Sequence, residues 1–200
     1  MRRRRFLGRV GVAGAVGTAG CGLRGDADGG TGGTDDGGAD AGEERSRRIR
    51  VGDDGFAVAA DGEGFEPLSV RGVNLGMAKP GRFPGEAAIT RAEYDRWLKL
   101  LGELNVNVVR VYTVHPPAFY RALAAYNRSH ADPIYLLHGN WIGEETLREA
   151  GDATALSPSF DRSMRQVVDV VHGATTVEPE PGYASGTYDA DVSDAVLGYV

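Results

Sequence analysis

The run Val106-Asn107-Val108-Val109-Arg110-Val111-Tyr112 constrains this chain more than any other segment. A nearly unbroken apolar run of strand length is what a strand buried on both faces of a parallel sheet requires. It is preceded by a helix with a clear start. Thr90-Arg91-Ala92-Glu93 is a capping box, and Tyr94, Trp97, Leu98, Leu101 and Leu104 recur at helical spacing behind it. Before that helix, Leu68 to Leu75 reads as a first strand, and Met77 to Ala88 as a long loop rich in Gly and Pro. Strand, loop, capped helix and strand together form a βαβ unit.

The pattern continues downstream. Pro116-Pro117 opens a second helix with Phe119, Leu123 and Tyr126 inward. Pro133 to His138 reads as a third strand, and Gly143 to Ala150 as a short helix. Ser157 or Ser159 is expected to cap a further helix with Phe160, Met164, Val167, Val168 and Val171 inward, closed by Gly173. Glu178 to Tyr188 reads as loop, Asp191 as the cap of a turn, and Ala195 to Val200 as a fourth strand. Upstream, Ile49, Val51, Phe56 and Val58 flank a Gly-Asp-Asp-Gly turn and predict a small lead-in hairpin. Alternating strands and helices give the α/β class with a parallel sheet. Four strands are half of a (β/α)8 barrel, so the expected fold is the N-terminal half of such a barrel in residues 47–200, with the chain stopping at strand four. A flavodoxin-like open sheet is the alternative, but no Gly-rich phosphate loop follows strand one or two.

Residues 1–20 read as an export signal rather than as part of the fold. Arg3-Arg4-Arg5-Phe6-Leu7 fits the twin-arginine pattern. Thr18-Ala19-Gly20-Cys21 resembles a lipobox, with small residues before the cysteine and Thr18 where Leu is usual. Cys21 is the single cysteine of the chain, so no intrachain disulfide can form, and lipidation at Cys21 would anchor the protein to a membrane surface. Residues 21–46 are almost all Gly, Asp, Ala, Thr, Glu and Arg, which predicts a disordered, acidic tether. The chain carries a net charge of −6 with Arg2 to Arg5 and Arg9 still in place, and only Lys79 and Lys99 as lysines. No basic stripe remains beyond the signal, which argues against a nucleic-acid partner.

Residues 68–200 resemble the start of the catalytic barrel of glycoside hydrolases, in the large clan that includes the family 2 β-glycosidases. The resemblance rests on Arg71-Gly72-Val73-Asn74 on strand one, Asn107-Val108-Val109-Arg110 on strand two, and His115-Pro116 beyond it. It implies a carbohydrate ligand or substrate, no cofactor, and a strand-two arginine that supports a nucleophilic carboxylate. The family's Asn-x-His after strand one is Asn74-Leu75-Gly76 here, without the histidine. Hydrolysis with retention needs two carboxyl groups roughly 5–5.5 Å apart. The family places them at the ends of strands four and seven, and neither position is present in these residues. A carbohydrate-binding surface lipoprotein without catalysis is therefore the alternative to an enzyme, and a remnant without a stable fold is a third.

The candidate site residues are Asn74, Arg110, His115 and Trp141. Arg110 interrupts an apolar strand near its C-terminal end, where a guanidinium must find a partner and where a barrel builds its site. Asn74 ends strand one and offers an amide to a hydroxyl; the bland reading is a local strand-end hydrogen bond. His115 precedes two prolines and could bind substrate or a carboxylate; the bland reading is an exposed loop histidine. Trp141 follows strand three and can stack on a sugar ring or plug a barrel rim. Tyr112 faces either the site or the helix layer. Glu86, Glu144 and Glu145 read as loop and first-turn acids rather than catalysts. The four histidines, His115, His130, His138 and His172, show no metal-ligand spacing, and no metal is expected.

Overall fold

The computed structural model describes residues 49–53, 55–59 and 64–200. The export motif, Cys21 and the acidic tether lie outside the described residues. In chain order the elements are β1 (Ile49–Gly52), β2 (Gly55–Ala59), β3 (Phe65–Pro67), β4 (Gly72–Asn74), α1 (Arg91–Glu103), β5 (Val108–Val111), α2 (Pro117–Ser129), β6 (Tyr135–His138), α3 (Glu144–Ala150), α4 (Ser157–Val171), β7 (Thr175–Val177), β8 (Gly186–Tyr188) and β9 (Val196–Tyr199). The fold is α/β. Its centre is a four-stranded parallel sheet in the order β4-β5-β6-β9. The lead-in segment forms an antiparallel three-stranded sheet, β1-β2-β3, one strand more than the expected hairpin.

Helix α1 begins where the capping box predicts. Glu93 N–H donates to Thr90 Oγ1, and the Glu93 carboxylate accepts from Thr90 N–H at 2.7 Å. The same carboxylate accepts from Lys79 Nζ at 2.8 Å, tying the Gly/Pro-rich loop to the helix start. These bonds, Lys79 first and Thr90 second, hold the Glu93 carboxyl down to about 2. Met77 and Ile89 anchor the two ends of this loop in the core.

The sheet strands are shorter than their apolar runs. Only Gly72 to Asn74 of the expected first strand pairs with β5. Upstream of it the Arg71 carbonyl still accepts from Asn107 N–H at 3.0 Å, and the Asn107 side chain extends the pairing. Its Oδ1 accepts from Arg71 N–H at 2.7 Å and its Nδ2 donates to the Ser69 carbonyl at 2.9 Å. Helix α4 starts without a serine cap: Leu156 holds the cap position and Ser157 is its first residue. Its buried stripe is Val167, Val170 and Val171, with Val168 only half-buried. The segment expected to be loop between Glu178 and Tyr188 ends in β8, which pairs antiparallel with β7. That hairpin is clamped to α2 by Arg121, whose Nε and Nη2 donate to Asp189 at 2.6 and 2.9 Å. Asp191 caps a turn as expected, accepting from Ser193 N–H at 2.9 Å.

The register sorts the two faces of the parallel sheet. Side chains of paired residues on neighbouring strands point the same way. Val73, Val109, Leu136 and Val196 are one such row, and all belong to or pack on the core formed with Tyr94, Leu98, Phe119, Tyr120 and Leu123 of α1 and α2. Val111 and His138 lie on that same helix-covered side, since Tyr120 of α2 bonds the His138 ring. Asn74, Arg110, Leu137 and Gly198 form the alternate row, on the opposite face. None of these four belongs to the core cluster, and Asn74 is exposed while the other three are half-buried.

Candidate functional site

Two regions at the C-terminal end of the parallel sheet carry the chemistry. The first is the open face. Arg110 stands next to Asn74 in register. Its guanidinium lies over the Tyr112 ring, with Cζ 4.6 Å from the ring centroid. Tyr112 is therefore turned to this face rather than to the helices, as a residue two positions along a strand should be. Among the described residues no carboxylate pairs with Arg110, so its donors remain available on a half-buried face.

The second region is a groove of about 550 Å³ walled by Thr113, Asn140, Trp141, helix α4 and the loop between β7 and β8. Trp141 is 62% exposed there. Asn140 is fixed by donating to Ser163 Oγ of α4 at 2.6 Å, and Ser163 Oγ donates in turn to the Phe160 carbonyl at 3.0 Å. Of the four residues singled out from sequence, Asn74 and Arg110 come together on the open face, Trp141 lines the groove, and His115 joins neither.

His115, a candidate ligand-binding residue, is not the exposed loop histidine of the bland reading. It is 1% exposed, on the helix side of the sheet. The β5–α2 loop turns inward, and the ring packs against Phe119 with centroids 4.9 Å apart. A buried ring needs partners, and it has them. Tyr94 Oη lies 3.0 Å from His115 Nδ1, and Tyr188 Oη donates to the His115 carbonyl at 3.0 Å. His115 N–H donates to Tyr120 Oη at 3.3 Å. Tyr120 Oη is 2.7 Å from His138 Nε2, and His138 Nδ1 is 2.9 Å from the Gly139 carbonyl. The Gly139 carbonyl can only accept, so His138 carries its proton on Nδ1 and Nε2 accepts from the Tyr120 hydroxyl. Among the described residues no buried side-chain polar atom lacks a partner.

Burial dominates the electrostatics of this network. It pushes His115 down to about 3, with the neighbouring His138 charge adding to the effect and a hydrogen bond to the Leu75 backbone opposing it. Burial likewise pushes His138 down to about 4. Both rings are neutral at physiological pH, and the Tyr188 hydroxyl is pushed up to about 12. Low dielectric disfavours the charged form of each group. The network thus fixes the β5–α2 loop and the end of β6 from beneath and offers no charge to a ligand.

Two of the acids weighed from sequence are engaged locally. Glu86 accepts from Arg82 at 2.9 Å and from Phe83 N–H at 2.7 Å. Glu144 pairs with Arg148 one turn on in α3. The groove residues Tyr183, Glu178 and Glu180 had no sequence signal beyond lying in a Pro/Gly-rich loop, because the return of that loop onto Trp141 is a tertiary event. Among the described residues no cluster of His, Cys, Asp or Glu could hold a metal ion, and no helix is long and apolar enough to cross a membrane. No family model, curated protein or solved structure matches this chain.

Proposed function

We propose that this chain is an exported, lipid-anchored protein whose folded part is the N-terminal half of a glycosidase-like (β/α)8 barrel that binds carbohydrate. The observation that carries the reading is the arrangement of the open sheet face. The strand order β4-β5-β6-β9 follows the chain without reversal. A doubly wound open sheet reverses its order at a switch point, whereas a barrel does not. Right-handed crossovers without reversal keep the helices on one side and leave the other as a lumen. Asn74 and Arg110 then stand side by side on the lumen face, beside Tyr112, where a barrel presents its polar groups.

On this reading Arg110 orients a carboxylate or a sugar hydroxyl, Asn74 hydrogen-bonds a hydroxyl, and Trp141 offers a stacking plane. His115 acts as a positioning residue, because its ring is buried beneath the loop that follows β5. The last residues of the four parallel strands are Asn74, Val111, His138 and Tyr199, none of them an acid. On this reading these residues supply binding and orientation, and hydrolysis by the two-carboxylate route would need two further acids beside them.

Affinity electrophoresis of the full chain through gels cast with soluble polysaccharides tests the reading. Retardation by at least one polysaccharide, weakened in Asn74→Ala and Arg110→Ala, is the expected result. Mobility unchanged by every polysaccharide would refute carbohydrate binding. For the anchor, Cys21→Ala should move the protein from the membrane fraction to the soluble fraction. An unchanged distribution would refute lipidation at that residue.

A further inference from the structure

We infer that the groove between Trp141 and the β7–β8 loop is a binding subsite for an uncharged saccharide, separate from Asn74 and Arg110. This rests on the carbohydrate reading above and deepens it by naming the ligand's charge class and a second set of contacts. Three observations carry it. Two aromatic side chains of the groove are strongly exposed, Trp141 at 62% and Tyr183 at 57%. Exposed large aromatics on one concavity lose apolar burial in the free protein, which a ligand with a flat CH face restores. Polar side chains surround them, among them Gln166 of α4 and the carboxylates Glu178 and Glu180. Finally, no Lys, Arg or His is among the described residues that line it.

Charge decides the ligand class. A phosphate, nucleotide or uronate would meet two carboxylates and no cation, and like charges at contact distance repel. A purely apolar ligand would make no use of those carboxylates and the Gln166 amide, which are exposed at the groove. A pyranose satisfies both demands. Its CH face stacks on indole and phenol rings, and its hydroxyls donate to carboxylates and accept from an amide. A groove of about 550 Å³ lies within the size range of small-ligand sites. The floor is preset, since Asn140 is held by Ser163 and the loop end by β7–β8 pairing.

Titration calorimetry of the full chain at pH 7.5 tests this with a defined panel: cellotetraose, xylotetraose, mannotetraose, maltotetraose, tetragalacturonate and choline. The expected result is binding of at least one neutral tetraose in preference to tetragalacturonate and choline. Trp141→Ala and Tyr183→Ala should each weaken it by about tenfold. Both side chains are exposed, so the variants should melt with the wild type. Glu178→Gln with Glu180→Gln should weaken binding without disturbing the aromatic pair, and Phe83→Ala, an exposed aromatic outside the groove, should leave it unchanged. Neutral binding that survives the Trp141 and Tyr183 variants but fails in Arg110→Ala would overturn the groove and leave the sheet-face reading standing. Preference for tetragalacturonate would do the same. Binding of choline alone, or of nothing in the panel, would overturn both.

Discussion

Lowering the pH from 7.5 to 5.0 should cost this fold about 4 kcal/mol through two residues. His115 and His138 titrate near 3 and near 4 in the folded protein, against 6.5 when exposed. Folded values below the unfolded value mean that the unfolded chain takes up protons first as pH falls. The contribution is therefore complete above about 6.5 and is lost progressively down to the folded values. At pH 5.0 each ring has forfeited about 2 kcal/mol by linkage, since its unfolded form is almost fully protonated and its folded form is not. The tyrosines facing these rings, Tyr94, Tyr120 and Tyr188, all titrate above their ordinary range and stay neutral throughout. Glu93 contributes outside the window, because its stabilisation is lost only below its ordinary value of 4.5. Urea unfolding of the wild type and of His138→Gln at the two pH values is the assay. The variant removes one of the two titrations, so its difference between pH values should be about 2 kcal/mol. A wild type with equal stability at both pH values, or a variant with the wild-type difference, would refute the assignment of these rings as buried and neutral.

The same network and its neighbours yield further expectations. Tyr120→Phe removes the hydroxyl that bonds His138 Nε2 and accepts from His115 N–H, so it should destabilise the fold by about 3 kcal/mol in urea unfolding; a change under about 1 kcal/mol would show that water satisfies both groups. Gly139→Ala places a methyl 2.7 Å from the Val111 carbonyl oxygen and 2.9 Å from Tyr112 Cα, both backbone atoms of the neighbouring strand end. It should cost about 2 kcal/mol in thermal or urea melts, and an unchanged midpoint would mean that the two strand ends separate freely.

The parts of this fold written in local sequence were legible, and the parts made by return of the chain were not. The Thr90–Glu93 box identifies the start of α1 because all its partners lie within one turn. Pro117 identifies the start of α2 in the same way. Arg110 and Trp141 could be singled out because an arginine inside an apolar strand and a tryptophan at a strand end are visible in one dimension. The burial of His115 could not be seen. Its partners are Tyr94, 21 residues before, and Tyr188, 73 residues after, and a His-Pro-Pro sequence by itself reads as surface loop. The β7–β8 hairpin was missed because its strands are three residues long and the segment between them is rich in Pro and Gly. The second wall of the groove was missed with it. The bonds from the Asn107 side chain to Ser69 and Arg71 span 38 and 36 residues of sequence and have no local signal.

The central claim is that carbohydrate binds at the C-terminal end of the parallel sheet. Amide chemical-shift mapping of the full chain, titrated with the neutral tetraose that binds best, tests it most directly. The perturbed amides should fall at Asn74, at Arg110 to Thr113, and at Asn140 to Ile142. A contradictory result would be perturbation confined to the opposite end of the sheet, around Arg71, Asn105 and Asp132, or no perturbation at all.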